Sequence, residues 1–352
     1  MIGDERAVRA ALGAPWLIGG AMLLLCLAAL VSSTMGVTQI GLGDAMLALI
    51  SPLLPARWNA GLSAQDIAIL TTLRLPRTLM AIIAGAGLAI AGVAMQGITR
   101  NVLVSPYTIG ISPAASFGAS LAMLSGGYYG GASHVLVVGS AFLSAILCAV
   151  FVLGLAAMRG ISGNVLVLAG VGLSYLFGAL TETLQFIATE QQLAMIVHWA
   201  FGSVNGATWD GVNTTAAVLA VIFPLLLAQA WALNAFAAGG DEVAASLGFP
   251  VARTRIVVTI GSVLMTAAIV SYVGVIGFVG LIAPHVGRML IGGDHRLLLP
   301  FSAILGGLLL LCADLAGRLL FAPITVPVGI VVAYIGVPLF LHLLLSRRGR
   351  SG

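Results

Sequence analysis

Residues 74–112 read RLPRTLMAIIAGAGLAIAGVAMQGITRNVLVSPYTIGIS. Between Arg77 and Arg100 no charged residue occurs. An α-helix needs about 20 apolar residues to cross a hydrocarbon core roughly 30 Å thick, and this run is long enough. It is too long for a strand and lacks period-2 alternation. Its glycines and alanines would let neighbouring helices approach closely, as membrane helices do. Pro76 fits the first turn of the helix, where a missing N–H costs nothing.

The rest of the chain repeats the pattern. Further apolar runs fall at about 16–35, 108–124, 134–158, 164–187, 211–231, 256–275, 278–292, 298–319 and 325–345. With 77–97 they make ten, which predicts an all-α polytopic membrane protein with about ten transmembrane helices. The seventh and eighth runs are nearly continuous and are expected to hinge at Gly274–Gly280. The chain is 60% hydrophobic and 7% charged. Soluble domains carry about 25% charged residues, so most of the outer surface must face lipid. Arg6 and Arg9 before the apolar run from Trp16 suit a signal peptide, but no convincing small-residue cleavage site follows, so a retained first helix is expected. No linker or low-complexity tract divides residues 1–352, which predicts one domain.

All fifteen basic residues are arginine. Without lysine there is no phosphate-loop lysine, Schiff-base lysine or lysine base. The arginines form no basic stripe, which argues against nucleic acid. With the N-terminus in the cytoplasm, Arg57, Arg74, Arg77 and Arg318 fall outside and the other eleven inside. That asymmetry predicts two cytoplasmic termini. Cys26, Cys148 and Cys312 each lie in an apolar run without a CxxC pair, and read as small buried hydrophobes.

Three connections stand out. Residues 36–76, with Pro52, Pro55 and Trp58, read as a long outer segment. Residues 188–210 hold Trp199 and Trp209 and read as a short interfacial helix. Residues 232–255 are the one sizeable inner loop and read as a soluble helix-turn-helix. In it, Asp241 and Glu242 suit a helix N-terminus, and Gly248 followed by Pro250 is a stop signal. Val243, Ala244 and Leu247 form a small apolar ridge, which favours docking of a partner.

Other stretches carry polar groups at or near membrane depth. Arg74 and Arg77 stand near a helix N-terminus, where the dipole disfavours cations, so a compensating partner is expected. They fit either two snorkelling arginines or a dock for an acidic partner. The turn Met95–Tyr107 is read as non-helical backbone at membrane depth and hence as a candidate gate. Asp314 and Arg318 have the spacing of an ion pair. Glu182 fits either an aqueous cavity or snorkelling at the outer boundary. His285 and His295 fall on the inner side, and no metal site is assigned to them.

These stretches resemble the FecCD-type permeases of siderophore, heme and cobalamin importers. The resemblance rests on the 74–112 run, GDEVAASLG at 240–248, GFVG at 277–280, APHVGR at 283–288, GDHRLLLP at 293–300 and VPVGIVVAYIGVPLFLHLLL at 326–345. It departs at Val102, where the family usually has proline, and at Pro113-Ala114, where it often has Gly-Ala. The resemblance implies a type II ABC importer permease in the bacterial inner membrane, a homodimer or a pair with a paralogous permease. Two ATPase subunits would dock inside and a binding protein outside, and no cofactor would sit on this chain. It implies that Arg74, Arg77 and Arg318 meet acidic residues of the binding protein. Asn101 and Leu103, with Ser162, Gly163 and Asn164, match positions that constrict the pathway. Asp241, Glu242, Val243, Ala244, Ala245, Leu247 and Gly248 match the helix that couples to the ATPase, with His285 and Arg288 as further expected contacts. Iron-siderophore is the first expected substrate, then heme or cobalamin. A membrane enzyme is disfavoured because no HExxH, paired buried carboxylates or Ser/His/Asp set occurs. An ion-coupled carrier is disfavoured because Glu182 and Asp314 lie near span ends rather than mid-span.

Overall fold

The computed structural model describes residues 2–35, 41, 43, 63–126, 133–320 and 324–346. Every regular element among them is helical. The long helices are α1 (Ile2–Thr34), α3 (Leu75–Thr99), α5 (Ser133–Arg159), α6 (Gly163–Ile187), α8 (Trp209–Ala228), α10 (Val251–Val273) and α12 (His295–Leu319). Shorter ones are α2 (Ala64–Ala68), α4 (Ile111–Leu124), α7 (Glu190–Ala200), α9 (Ala230–Ser246), α11 (Val279–Ile291) and α13 (Val328–Ser346). Seven helices among the described residues are long and apolar enough to cross a membrane, and α4, α11 and part of α13 add three shorter apolar ones. The ten correspond to the ten expected runs.

Helix α3 is the centre of the bundle, packed by α8, α10, α11 and α12. Its small residues do what their size predicts. A Cβ on Gly85 would sit 2.1 Å from the Gly306 carbonyl oxygen, and one on Gly92 would sit 2.0 Å from that of Gly280. Backbone therefore touches backbone at two levels, so apolar side chains line the contacts without holding the helices apart. The outer helices show the opposite pattern. On α6, Tyr175 and Phe186 are 79% and 90% exposed, as side chains facing lipid or a partner would be.

Two expectations need correction. The segment 36–76 is not wholly a loop: a continuous helical stretch runs Gln65–Thr99, with a π-helical turn at Ile69–Arg74. Pro76 explains that turn. In π geometry its N–H would bond the Thr71 carbonyl five residues back, and proline has none. The Trp209 indole Nε1 donates to the Thr71 oxygen instead, at 2.9 Å. Pro284 in α11 is handled the same way. The Gly280 carbonyl, four residues back, accepts from Gln96 Nε2 of α3 at 3.1 Å. Pro52, Pro55, Arg57 and Trp58 lie outside the described residues. The second correction is to the cysteines. Cys148 is buried, but Cys26 and Cys312 are exposed on the chain.

Other expectations hold. The break between α10 and α11 falls at 274–278, with Gly274 at φ 72° and Phe278 at φ 64°. The short helix expected within 188–210 is α7, opened by a Thr189–Gln192 capping box. Pro113 is tolerated in the first turn of α4, where its N–H would have no intrahelical partner.

Candidate functional site

Polar residues gather at the two ends of the bundle. At one end, α1 stops at Thr34 and leaves its last carbonyls without intrahelical donors. Two arginines supply them. Arg74 Nη1 donates to the Ser33 and Thr34 oxygens at 2.9 and 2.8 Å. Arg318 Nη1 donates to the Ser32 and Met35 oxygens at 3.3 and 3.2 Å. Its Nη2 donates to Ser32 Oγ at 2.6 Å, and that hydroxyl lies 3.1 Å from the Thr78 hydroxyl. The negative end of the α1 dipole favours these cations.

Asp314 completes the cluster. Its side chain is 2% exposed and stands 2.8 Å from Arg77 Nη2 and 3.1 Å from Arg318 Nε. Arg77 Nε also donates to both carboxylate oxygens at 3.1 Å, and its Nη1 donates to Asn205 Oδ1. The ion pair expected from the 314/318 spacing is present, and the same carboxylate also holds Arg77. The compensating partner expected for Arg74 and Arg77 is this chain itself. Asp66 is the acid near Arg74, so three guanidinium groups and two carboxylates leave an excess of one positive charge. Glu182 lies on the exposed face of α6, away from these contacts.

At the opposite end, α3 terminates with Arg100 in the left-handed conformation at φ 52°. Asn101 closes the next turn by accepting from the Leu103 N–H at 2.9 Å. Asn101 and Leu103 are exposed and Val102 is half-buried. Ser162 caps α6, its hydroxyl accepting from the Val165 N–H at 3.3 Å. Gly163 is held against α3, since a Cβ there would lie 2.9 Å from Thr99 Cα. Asn101, Leu103, Ser162, Gly163 and Asn164 thus share one end of the bundle, on two neighbouring turns.

Helix α9 lies beside them and is broken at Gly240, whose φ of 80° and ψ of −152° interrupt the helix. Its first half is tied to α12. Asn234 donates to Asp294 Oδ1 at 2.8 Å and accepts from the His295 N–H at 2.8 Å. Asp294 caps α12 and also holds Arg296. Hydrogen bonds from Arg296 first, then from Asn234, hold its carboxyl down at about 2 against the opposing effect of burial. The second half of α9 ends in a Schellman motif. The Gly248 N–H donates to the Ala245 oxygen at 2.9 Å and the Phe249 N–H to the Ala244 oxygen at 3.0 Å, with Gly248 at φ 84°.

That geometry corrects the expected ridge. Ala244 is fully buried against Ala235, Phe236 and Phe249, and Val243 is half-buried over Gly239. The outward face is Glu242, Ala245, Ser246, Leu247 and Gly248, with Leu247 62% exposed. His285 and Arg288 are half-buried on α11.

One residue was missed by the sequence reading. Arg255, in the first turns of α10, is buried beneath both turns and α9. Its Nη1 and Nη2 donate to Asp241 Oδ2 and Oδ1 at 2.7 and 2.6 Å. Its Nη1 also donates to the Ile161 oxygen at 2.8 Å, and its Nε to the Ile98 oxygen at 3.4 Å. No local pattern signals this, because the partners lie 14, 94 and 157 residues away. Among the described residues no group of three or more His, Cys, Asp or Glu is placed to hold a metal.

The chain is similar to known permeases along most of its length. It is 42% identical to an ABC transporter permease protein of Methanocaldococcus jannaschii, over 81% of this chain and 84% of that one. It is 38% identical to the cobalamin import system permease protein of Halobacterium salinarum, over 80% and 75%. Against the Fe(3+)-citrate import system permease protein of Bacillus subtilis the identity is 34%, over 92% and 95%. A solved structure of a metal-chelate type ABC transporter in an inward-facing conformation superimposes with a TM-score of 0.82 at 32% identity, covering 94% of this chain and 99% of that one. Residues 22–346 match the FecCD transport family. With ten apolar helices among its described residues, this chain belongs to that family and is a multi-span ABC importer permease.

Proposed function

We propose that this chain forms the translocation pathway of an ATP-driven importer for an iron-siderophore complex. It acts as a homodimer in the bacterial inner membrane, with two ATPase subunits inside and a binding protein outside. The observation that carries the reading is the short capped segment Asp241–Gly248. It presents exposed Leu247 and Ala245 at the same end as the Asn101 and Ser162 turns. An apolar face outside the hydrocarbon needs a partner, and the ATPase is the partner that an importer requires there.

In this arrangement the Arg255 end faces the cytoplasm, as do both termini. Asn101, Leu103 and Ser162–Asn164 constrict the pathway. Glu242, Ala245, Leu247 and Gly248 meet the ATPase, as do His285 and Arg288, while Val243 and Ala244 support the segment from within and Asp241 ties it to Arg255. At the outer end the positive excess of the Arg74–Arg77–Arg318 cluster draws an acidic face of the binding protein. Its effect falls chiefly on association rate and salt dependence. The chain binds no cofactor and hydrolyses no ATP itself.

A transporter-deleted strain carrying this chain with its ATPase and binding protein should regain growth on an iron-siderophore as sole iron source. Rescue on cobalamin or heme instead would change the substrate and leave the permease reading intact. The cobalamin relative keeps that second substrate in view. Absence of rescue on all three sources, with the complex assembled in the membrane, would overturn the reading.

A further inference from the structure

Two contacts join the segment Asp241–Ser246 to both pathway turns, and neither is explained by folding that segment alone. The first is the Arg255 guanidinium. It grips Asp241 with two bonds of 2.6 and 2.7 Å and reaches Ile98 and Ile161 with its remaining donors. Ile98 lies three residues before Asn101, and Ile161 lies one before Ser162. The second contact is Arg100 over Gly240. A Cβ on Gly240 would lie 2.5 Å from Arg100 Nη1, so the residue beside Asn101 packs directly on the residue beside Asp241. The break at Gly240 separates this half of α9 from the half fastened to α12 through Asn234 and Asp294. The second half is therefore joined to both turns by contacts that the first half does not make.

We infer that Arg255 is a positioning residue for transport: through Asp241 it carries displacement of the ATPase-facing segment to the Asn101 and Ser162 turns. Arginine suits this task. A planar fork with five donors can hold a carboxylate and two carbonyls at once, whereas an ammonium cannot span them. The Phe236 ring, 5.3 Å from the guanidinium carbon, keeps the fork in place from the side. The inference rests on the importer reading above.

The test uses the complete complex, chain with ATPase and binding protein, in proteoliposomes, and measures substrate moved per ATP hydrolysed. Asp241→Asn and Arg255→Lys should insert, assemble and hydrolyse ATP. Substrate moved per ATP should fall by about tenfold, within the usual span of coupling between two sites. A merely structural role would lower assembled complex, hydrolysis and transport together and leave the ratio unchanged, which would overturn the inference. If Arg255→Lys fails to assemble, Asp241→Asn decides alone. Asp241 is about half exposed, so its replacement strips no deeply buried site, and a wild-type ratio in that variant would overturn the inference. A wild-type complex that moves no substrate would overturn the importer reading, and this inference with it.

Discussion

Replacing Asp314 tests whether the outer arginine cluster is built into the fold or merely displayed to a partner. Asp314 is 2% exposed and makes four contacts of 2.8–3.1 Å with Arg77 and Arg318. Asp314→Ala deletes the carboxylate that Arg77 and Arg318 share and leaves two guanidinium groups, each about nine-tenths buried, facing each other. At an effective dielectric of about 20, an ion pair at roughly 4 Å is worth about 4 kcal/mol of gross attraction. Desolvation offsets much of that, and breaking one side of a buried pair costs about 3–5 kcal/mol. The lower end applies here because Arg77 keeps Asn205 and Arg318 keeps its carbonyls at the end of α1. The assay is thermal unfolding of detergent-solubilised protein, run as a double-mutant cycle with Arg77→Ala. The two single variants should each be markedly less stable than wild type. Removing both partners should cost less than the sum of the two. Stability of Asp314→Ala within about 0.5 kcal/mol of wild type, the usual range for an uninvolved surface site, would refute the argument. The same geometry makes Arg74→Glu a poor probe of docking. It would set a carboxylate against the Ser33 and Thr34 oxygens, so lost binding would report misfolding.

Other consequences can be measured separately. Ala245→Trp places bulk on the outward face of α9 at a helical position. It should leave insertion intact and overpack the ATPase contact by about 1–3 kcal/mol, read as lost ATPase assembly or lost transport. Gly248→Trp is less diagnostic, because φ 84° strains any side chain there. Gly85→Val should lower thermal stability, since its Cβ would meet the Gly306 carbonyl; wild-type stability would mean that α3 and α12 are not in backbone contact. The purified chain alone should turn over no ATP above a blank, as expected without a phosphate-loop lysine. A reporter fused at Gly352 should give the cytoplasmic signal, and a periplasmic signal would invert the orientation drawn from the arginines.

The spans were legible because lipid imposes a simple rule: long apolar runs become helices, and the run at 77–97 admits no other reading. The hinge at 274–278 was legible from its glycines. The α9 cap was legible because Gly248-Phe249-Pro250 is local chemistry. What stayed hidden depends on residues distant in sequence. The π-turn before Pro76 forms because Trp209 can serve the Thr71 carbonyl, and nothing near Pro76 announces that tryptophan. Ala244 looked like part of an exposed ridge because spacing alone does not say which face of a short helix turns inward. Phe236 and Phe249 decide it. The Asp314–Arg318 pair was legible from its spacing, but the partner of Arg77 was not, because Asp314 is 237 residues from it. The substrate is hidden for another reason: the described polar residues fasten helices to one another, so little of the chemistry that would select a chelate is visible in one chain.

The absence of lysine follows the same logic as the two polar ends. A chain with so few charges has few side chains able to tie helix termini together, and each tie must satisfy several buried acceptors. Arg74 serves two carbonyls of α1. Arg318 serves two carbonyls, a hydroxyl and a carboxylate. Arg255 serves two carbonyls and a carboxylate from three separate segments. A lysine at any of these sites brings three donors on a compact head without the fixed fork, and would leave acceptors unmet where water is scarce. The Arg255 end has ties of two kinds. The Asn234–Asp294 contact anchors one half of α9 to α12, and the Asp241–Arg255 contact joins the other half to the turns at Asn101 and Ser162, with Gly240 between them. A rigid helix spanning both would force the two sets of contacts to move together.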